Sequence, residues 1–341
     1  MTKRLPAEWE KQDGILLPWP HPATDWAEML DQVEPVFLQI AKETSRFEKV
    51  IIIAPDTSLL SEKLSDIGTS MENIRLIDIE TNDTWARDFG PITVYDNDQA
   101  IPLDFQFNGW GGKFRSDLDN RITTTLAEKK LFGSCSPLSI DMVLEGGSID
   151  SDGKGNLLTT TSCLLNLNRN PGMKQAEISQ ILYDSFGIRN ILWLESGMLL
   201  GDDTDSHIDI LARFAPNDTI LFVACDDQDD PHFDELAAMR KQLETFRTDD
   251  DQPYRLIPLP MPTSCFDDAG NRLAATYANF LVINDAVLVP VYNDPLDQIA
   301  CDKIAVAFPK REVISIDCSP LILEGGSLHC STMQFPKGVL A

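Results

Sequence analysis

One short phrase recurs three times in this sequence and constrains the fold more than any other feature. In residues 144–149, 194–199 and 323–328, a leucine and a glutamate are followed by a turn-like segment that contains glycine, at the end of an apolar run. Glycine allows a backbone to turn sharply. Recurring strand-and-turn units are typical of folds arranged radially around a centre. We therefore expect each phrase to close a strand of a chain built from several similar units.

Strands and helices alternate along the rest of the chain. Apolar residues at helical spacing predict a helix over 26–44, which Pro35 either shortens or kinks. Gly187 is a typical helix-ending residue. The other predicted helices are 58–65, 174–186, 233–246 and 295–308, and the predicted strands are 50–54, 74–79, 190–194, 254–259, 280–283, 286–291 and 312–316. This order predicts an α/β fold. Since no linker or low-complexity segment interrupts it, we expect a single domain over 1–341.

The charge and hydropathy of the chain exclude several classes of protein. The 54 acidic residues against 28 lysines and arginines give a formal net charge of −26, whereas nucleic-acid binding needs a basic surface. An acidic surface is compatible with a small cationic partner. No stretch reaches the ~18 apolar residues of a membrane span, and residues 1–10 lack the apolar run of a secretory signal. We expect a cytoplasmic protein with no nucleic-acid or membrane partner; the sequence does not specify whether it forms a homo-oligomer.

The cysteines separate into one conspicuous residue and six others. There are seven, an odd number without a C-x-x-C pair, which argues against a disulfide framework or a zinc ribbon. Most of them, such as Cys225, lie in apolar runs and are predicted to be inert core residues. Cys330 differs because it follows the glycine pair 325–326 and precedes the loop 334–336. It is a candidate nucleophile, and the alternative is a buried structural thiol.

Polar phrases elsewhere in the chain contain candidate partners for this thiol. They are 82–91, 145–147 and 201–209. If 207–209 is extended, His207 and Asp209 lie on one face and can converge on one ligand. His329 is adjacent to Cys330 and would then point to the opposite face. The predicted base is therefore His207, a neighbour of the thiol in space and not in sequence.

Each candidate also has an interpretation without a catalytic function. Asp88 could pair with the arginine before it, Glu145 could cap a backbone amide, and His207 could be a buried core histidine. A metal site formed by His207, Asp209 and Cys330 is a further alternative. A thiolate and a carboxylate without paired spacing fit no common metal site, so we expect none.

Taken together, these phrases resemble the agmatine deiminase family, close kin of the bacterial-type peptidyl-arginine deiminases within the guanidine-modifying superfamily. The matching segments, in order along nearly the whole chain, are 6–10, 19–20, 82–91, 107–113, 145–147, 204–209, 329–330 and 334–336. The resemblance implies a five-bladed α/β propeller, or pentein, with pseudo-fivefold ββαβ-like units around a central polar site. The sequence departs from many agmatine deiminases at Ser206 and at 324–327, and neither departure is at a predicted catalytic position.

The resemblance also implies a reaction, the hydrolysis of agmatine to N-carbamoylputrescine and ammonia, which serves either polyamine biosynthesis or agmatine catabolism. It assigns Asp88 and Asp209 to the substrate guanidinium, a planar cation that paired carboxylates match. It assigns Cys330 the attack on the guanidinium carbon, which leaves a covalent thiouronium. His207 transfers the protons and Glu145 orients its ring. No metal or organic cofactor is implied.

The choice of substrate depends on fewer residues. Trp85 is predicted to pack against the methylene chain of agmatine, and the alternative is that it belongs to the core. A peptidyl-arginine deiminase would be expected to carry a secretion signal or an appended domain, and a free-arginine deiminase a basic group for the carboxylate. Neither feature stands out, so agmatine is favoured. A non-catalytic binding protein for cationic guanidine metabolites and a thiol-dependent amidinotransferase are the alternatives from other classes.

Overall fold

Five small β-sheets form the framework of the computed structural model, which describes residues 3–341. The strands are β1 (Gln12–Pro18), β2 (Lys49–Ala54), β3 (Ile74–Asp78), β4 (Ile92–Asp96), β5 (Gln99–Gln106), β6 (Leu138–Val143), β7 (Ile149–Ser151), β8 (Asn156–Thr160), β9 (Asn190–Leu194), β10 (Ala212–Ala215), β11 (Thr219–Ala224), β12 (Arg255–Pro260), β13 (Leu281–Ile283), β14 (Ala286–Val291), β15 (Glu312–Asp317) and β16 (Met333–Pro336). One sheet has the order β16-β1-β2-β3, and the others are β4-β5-β6, β7-β8-β9, β10-β11-β12 and β13-β14-β15.

The helices lie mainly in the connections between strands. They are α1 (Leu30–Ser45), α2 (Leu60–Asp66), α3 (Ala86–Phe89), α4 (Gly109–Gly112), α5 (Ile122–Glu128), α6 (Thr161–Leu164), α7 (Gln175–Phe186), α8 (Phe233–Leu243) and α9 (Asp297–Ala307). Among the described residues, no helix is both long and apolar enough to cross a membrane.

Each three-stranded sheet is built in the same way. Its first two strands pair antiparallel, and its third strand pairs parallel with the second after a crossover that contains a helix. In the hairpin from β13 to β14, Asp285 adopts a left-handed conformation with φ of 60°, as tight hairpin turns require. The central strand β14 is buried along almost its whole length, which is why it is a continuous apolar run. The mixed α/β fold is confirmed, while closure of the five sheets into a five-bladed propeller stays a prediction.

The four-stranded sheet joins the two ends of the chain. Strand β1 pairs antiparallel with β16, the last strand, and parallel with β2 after the crossover through α1. Pro35 lies inside α1 at an exposed position and does not end the helix. The helix starts later than residue 26, but Pro35 does not set its start, because Asp25–Glu28 form a separate 3-10 turn and α1 begins at Leu30, before the proline.

Two sequence signals for the end of an element can be compared with the structure: the glycine that follows a helix and the repeated Leu-Glu phrase. Helix α7 ends at Phe186, and Gly187 follows it in the left-handed conformation, as predicted. The first two phrases follow β6 and β9, so both close a strand. The third does not, because Leu321–Glu324 form a 3-10 helix that ends at the left-handed Gly325. A run of three apolar residues is too short for its pattern to distinguish strand from helix.

Candidate active site

The segments that connect one sheet to the next carry the polar side chains of the site. Asp88 lies between β3 and β4, Glu145 between β6 and β7, His207 and Asp209 between β9 and β10, Asn279 between β12 and β13, and Cys330 between β15 and β16. Because all five connections contribute, residues far apart in sequence meet at one place. All the sequence-predicted catalytic residues are among them, and Asn279 is an addition.

Gly147 shows how closely three of these side chains approach one another. A Cβ atom on this residue would lie 2.6 Å from His207 Nδ1, 2.8 Å from Asp88 Oδ1 and 3.1 Å from Asp209 Oδ2. Only glycine fits such a point without displacing its neighbours. The expected extended conformation of 207–209 was wrong, because Ile208–Ile210 form a 3-10 turn. His207 and Asp209 converge all the same, through a different local geometry.

Asp88 is held by two hydrogen bonds, one to each carboxylate oxygen. The backbone N–H of Gly147 donates to Oδ1 at 2.9 Å, and Trp110 Nε1 donates to Oδ2 at 2.9 Å. The side chain of Arg87 contacts Gln334 and Glu8 instead. Asp88 therefore does not form the structural ion pair with Arg87 that was the alternative to a catalytic function. Burial raises the pKa of Asp88 to about 6, although the His207 charge opposes this.

Glu145 is fully buried and fixed by an arginine that the sequence analysis did not select. Arg169 Nε lies 3.0 and 2.9 Å from the two carboxylate oxygens. The same guanidinium donates to Asp205 and to the backbone carbonyl of Thr204, the segment that leads into His207. Burial would raise the pKa of Glu145, but the charges of His207 and Arg169 hold it below its ordinary value.

His207 lies between two carboxylates without a hydrogen bond to either. Its Nδ1 is 3.6 Å from Asp88 Oδ1, and its Nε2 is 3.7 Å from Glu145 Oε2. Both ring nitrogens are buried and have no hydrogen-bond partner among the described residues. Burial favours the neutral imidazole, but the negative charge of Asp88 raises the pKa of His207 well above its usual value. The ring can therefore carry a proton at neutral pH.

Cys330 is a buried thiol at the inner end of a pocket. Asn279 Nδ2 donates to its Sγ at 3.3 Å, and Asn279 Oδ1 accepts the backbone N–H of His329 at 2.9 Å. The thiol also lies 3.7 Å from Asp209 Oδ2. Burial, together with the charges of Asp209 and Asp88, raises the pKa of the Cys330 thiol well above its usual value. A cation bound between these carboxylates would oppose that effect and favour the thiolate.

Asp209 is held by a chain of charged groups that the sequence did not reveal. His329 Nδ1 lies 2.8 Å from Asp209 Oδ2, and His329 Nε2 lies 2.7 Å from Glu8 Oε2. Because a carboxylate oxygen can only accept, both ring nitrogens donate. Burial would raise the pKa of Asp209, but the hydrogen bond from His329 keeps it below its ordinary value. Asp209 Oδ1 has no hydrogen-bond partner among the described residues.

The pocket that ends at Asp88 and Cys330 has a volume of about 270 Å³. Its other acidic lining residues are Asp25, Asp83, Asp203, Asp267 and Glu324. Arg272 is the single lysine or arginine of the lining, and it is already paired with Asp230 at 3.0 Å. The pocket is therefore strongly acidic and suits a cation.

Trp85 forms part of the pocket wall and is also packed into the core. It lines the pocket, is 5% exposed, and has its ring centroid 5.6 Å from that of Trp26. A Cβ atom on Gly326 would come within 2.4 Å of the Trp85 ring, so this glycine of the repeated phrase allows the backbone to lie against the indole. The two interpretations of Trp85 are compatible.

Several residues of the site were not predicted from the sequence, for identifiable reasons. Trp110 lies in a segment that the resemblance includes, 107–113, but was not selected. Arg169 and Asn279 lie in no repeated phrase. Cys163 belongs to the group predicted to be inert, yet its Sγ lies 3.8 Å from Glu145 Oε2. Burial raises the pKa of this thiol, although the His207 charge opposes the effect.

Comparison with known proteins gives matches along the whole chain. The model of a family described as Porphyromonas-type peptidyl-arginine deiminase matches residues 4–336. An agmatine deiminase of Pseudomonas aeruginosa is 33% identical over 357 residues, which cover 98% of this chain and 95% of that protein. A candidate arginine deiminase from Porphyromonas gingivalis has a similar structure, with a TM-score of 0.94, 45% identity and 100% of both chains covered. A cysteine-to-serine variant of C. jejuni agmatine deiminase with substrate bound has a TM-score of 0.92 and 37% identity, over 99% of this chain and 97% of that one.

Proposed function

The chain belongs to the Porphyromonas-type peptidyl-arginine deiminase family, and we propose that it hydrolyses agmatine to N-carbamoylputrescine and ammonia. The agmatine deiminases among its relatives are hydrolases of amidine C–N bonds. The observation that carries the proposal is a buried thiol, Cys330, at the end of an acidic pocket and close to Asp209. The proposal includes the closure of the five sheets into a five-bladed α/β propeller around this site.

Asp88 and Asp209 bind the guanidinium. Asp88 is fixed by Gly147 and Trp110, while Asp209 retains one carboxylate oxygen, Oδ1, without a partner among the described residues. A guanidinium presents several N–H donors in a rigid plane, so two carboxylates that are already oriented bind it with little reorganisation. Its positive charge lowers the pKa of the nearby Cys330 thiol, whose proton leaves to solvent.

Cys330 then attacks the central carbon of the guanidinium. The new C–S bond gives a tetrahedral species, and His207 donates its proton to the departing nitrogen, which leaves as ammonia when the C–N bond breaks. A covalent thiouronium remains. His207 next accepts a proton from water, which attacks the same carbon. The C–S bond breaks, the thiolate is regenerated, and the O-protonated ureido product loses that proton to solvent as it is released.

The acidic lining favours agmatine over the other guanidine compounds. Agmatine carries an ammonium at the end opposite its guanidinium, whereas free arginine carries a carboxylate beside its amine. Asp203 and Glu324 are lining acids that would attract the ammonium and repel a carboxylate. Trp85 supplies an apolar surface for the methylene chain.

Arginine is the second candidate because of one specific residue. Arg272 lies in the pocket lining and is the one group there that could meet a carboxylate. Its ion pair with Asp230 would have to be shared or exchanged. An arginine within a peptide has no free carboxylate at that position, and its flanking residues would have to lie outside a pocket of about 270 Å³.

The test is to incubate the purified protein with agmatine, free arginine or an arginine-containing peptide, with a metal chelator present, and to measure ammonia and ureido product. We expect product from agmatine, none from the Cys330→Ala variant, and normal turnover from Cys225→Ala, a matched change of a half-buried cysteine outside the pocket. Turnover of arginine or of the peptide, without turnover of agmatine, would overturn the proposal that agmatine is the substrate. Incorporation of an added amine would indicate an amidinotransferase. Tight agmatine binding without product would indicate a binding protein.

A further inference from the structure

A second thiol, that of Cys163, lies close to the proposed base. Single ligand atoms of Glu145, Cys163 and His207 all lie within 4.8 Å of one another, and all three residues are buried. Cys163 Sγ is 3.8 Å from Glu145 Oε2, which is itself 3.7 Å from His207 Nε2. Cys330 has different neighbours, Asn279 and Asp209. The two thiols therefore belong to separate groups of side chains.

The unusual feature of this group is the histidine. A buried polar atom normally has a hydrogen-bond partner, yet both nitrogens of the fully buried His207 ring have none among the described residues. The nearest oxygens are more than 3.5 Å away. This spacing is too wide for a hydrogen bond but near the separation of two atoms that ligate one small cation. Ligand atoms around a tetrahedral zinc ion lie roughly 3.3 to 3.6 Å apart, given bonds of about 2.0 to 2.3 Å.

The surroundings of the three residues match those of zinc ligands. A zinc-bound histidine usually donates its other N–H to a carboxylate, and His207 Nδ1 faces Asp88 Oδ1 at 3.6 Å. A ligating carboxylate is usually oriented by further hydrogen bonds, and Arg169 provides these to Glu145. Thiolate, imidazole and carboxylate together are a donor set that zinc prefers.

We propose that Glu145, Cys163 and His207 form a binding site for Zn²⁺, with a fourth position left for water, and that zinc bound there inhibits the enzyme. On binding, the Cys163 thiol loses its proton and the protonated His207 ring loses its Nε2 proton, both to solvent, because thiolate and neutral imidazole are the forms that ligate. With Nε2 ligated, the His207 ring keeps a single N–H at Nδ1, the nitrogen that faces Asp88, and it can no longer cycle between its singly and doubly protonated forms, so catalysis stops. Only this inhibitory consequence rests on the proposed function.

Cobalt is the probe for the site, because a cysteine thiolate bound to Co²⁺ gives a charge-transfer absorption in the near ultraviolet. The titration uses Cys330→Ser protein under reducing, oxygen-free conditions, so that the nucleophile cannot contribute. We expect one equivalent of cobalt to produce the band and Zn²⁺ to abolish it by displacement. Adding Cys163→Ser should remove the band, whereas adding Cys318→Ser, a matched change of a buried cysteine elsewhere, should leave it unchanged.

A second measurement does not depend on whether the Cys163 variant folds. X-ray absorption at the zinc edge of zinc-loaded Cys330→Ser protein should show one sulfur ligand, with nitrogen and oxygen for the rest. Persistence of the cobalt band without Cys163, absence of a sulfur ligand, or no stoichiometric binding would each overturn the site.

Inhibition is measured separately on the protein with all its cysteines. Zinc should reduce agmatine turnover, a chelator should restore it, and Cys163→Ser should need at least about tenfold more zinc for the same inhibition. An unchanged zinc requirement would overturn the inhibitory role. If agmatine is not turned over at all, the proposed function fails, and the cobalt titration still decides whether the metal site exists.

Discussion

His329 joins Asp209 to Glu8 through its two ring nitrogens, at 2.8 Å and 2.7 Å. Glu8 is in turn bound by Arg213 at 2.7 Å. Burial would raise the pKa of Glu8, but Arg213 and His329 hold it well below its usual range. A carboxylate proposed to bind substrate is therefore supported by a charge network that begins near the N-terminus.

The two amide variants of His329 separate its two contacts. In His329→Asn the amide nitrogen occupies about the position of Nδ1 and keeps the bond to Asp209, whereas in His329→Gln it occupies about the position of Nε2 and keeps the bond to Glu8. A hydrogen bond between charged groups contributes about 1.5 to 3 kcal/mol, so we expect kcat/KM to fall roughly tenfold to a hundredfold in the Gln variant. The decrease in kcat/KM should be clearly smaller in the Asn variant. Equal losses in steady-state kinetics would show that the contact with Asp209 does not matter.

Substitution of Asp209 should have opposite effects on the reactivity of Cys330 and on turnover. The negative charge of Asp209 is one of the causes of the raised thiol pKa. Asp209→Asn removes that charge, so more thiolate is present at pH 8 and alkylation by iodoacetamide should be faster, although agmatine turnover is lost. The rate at Cys330 is followed by mass spectrometry of its peptide, with Cys225 as the internal reference. Slower alkylation in the variant would contradict the electrostatic account.

The acidic limb of the pH profile should report Asp88. Its pKa is raised to about 6, and only the ionised carboxylate binds the guanidinium, so kcat/KM should fall as the pH decreases through about 6. The hydrogen bond from Trp110 lowers this pKa. Trp110→Phe removes the donor and should therefore shift the limb to higher pH. The check is the full profile of kcat/KM for both proteins, and an unmoved limb would mean that another group sets it.

Much of the fold was readable from the sequence because its signals are local. Gly187 ends a helix through its own backbone conformation, and the apolar run of β14 reflects burial on both faces. The start of α1 and the 3-10 turn at Ile208–Ile210 were misjudged. At both places only a few residues at the end of an element are involved, and the spacing of apolar residues does not determine their backbone conformation.

The candidate site was only partly readable, since its supporting contacts are between distant segments. Glu8 meets His329 across 321 positions and Asn279 meets Cys330 across 51. No periodicity or spacing encodes such contacts. Cys163 looked inert because most buried cysteines are, and only its position beside Glu145 distinguishes it.

Removal of Arg169 should destabilise the fold as well as the site. Its guanidinium and the Glu145 carboxylate are both fully buried, so Arg169→Met leaves a buried charge without its partner, at a cost of about 3 to 5 kcal/mol in the free energy of unfolding. Urea denaturation at pH 7.5 measures this. The matched control is Arg189→Met, which removes an exposed ion pair with Asp249 and should cost less than about 1 kcal/mol. The pKa of Glu145 is lowered in the folded protein, so its stabilisation is present above the ordinary carboxyl range and is lost as the pH falls.

Two glycine-to-alanine changes should have very different effects on activity. The Cβ atom of Gly147→Ala would lie 2.6 Å from His207 Nδ1 and 2.8 Å from Asp88 Oδ1, so at least one of them must move. A displacement of about 1 Å in a catalytic constellation can cost about 100-fold in rate, and we expect a loss of at least that size in kcat/KM. Gly133→Ala is the matched control, because its nearest neighbour lies 3.7 Å from the new Cβ atom and its activity should be normal. Full activity in Gly147→Ala would mean that these side chains are not held as close together during catalysis as the structure places them.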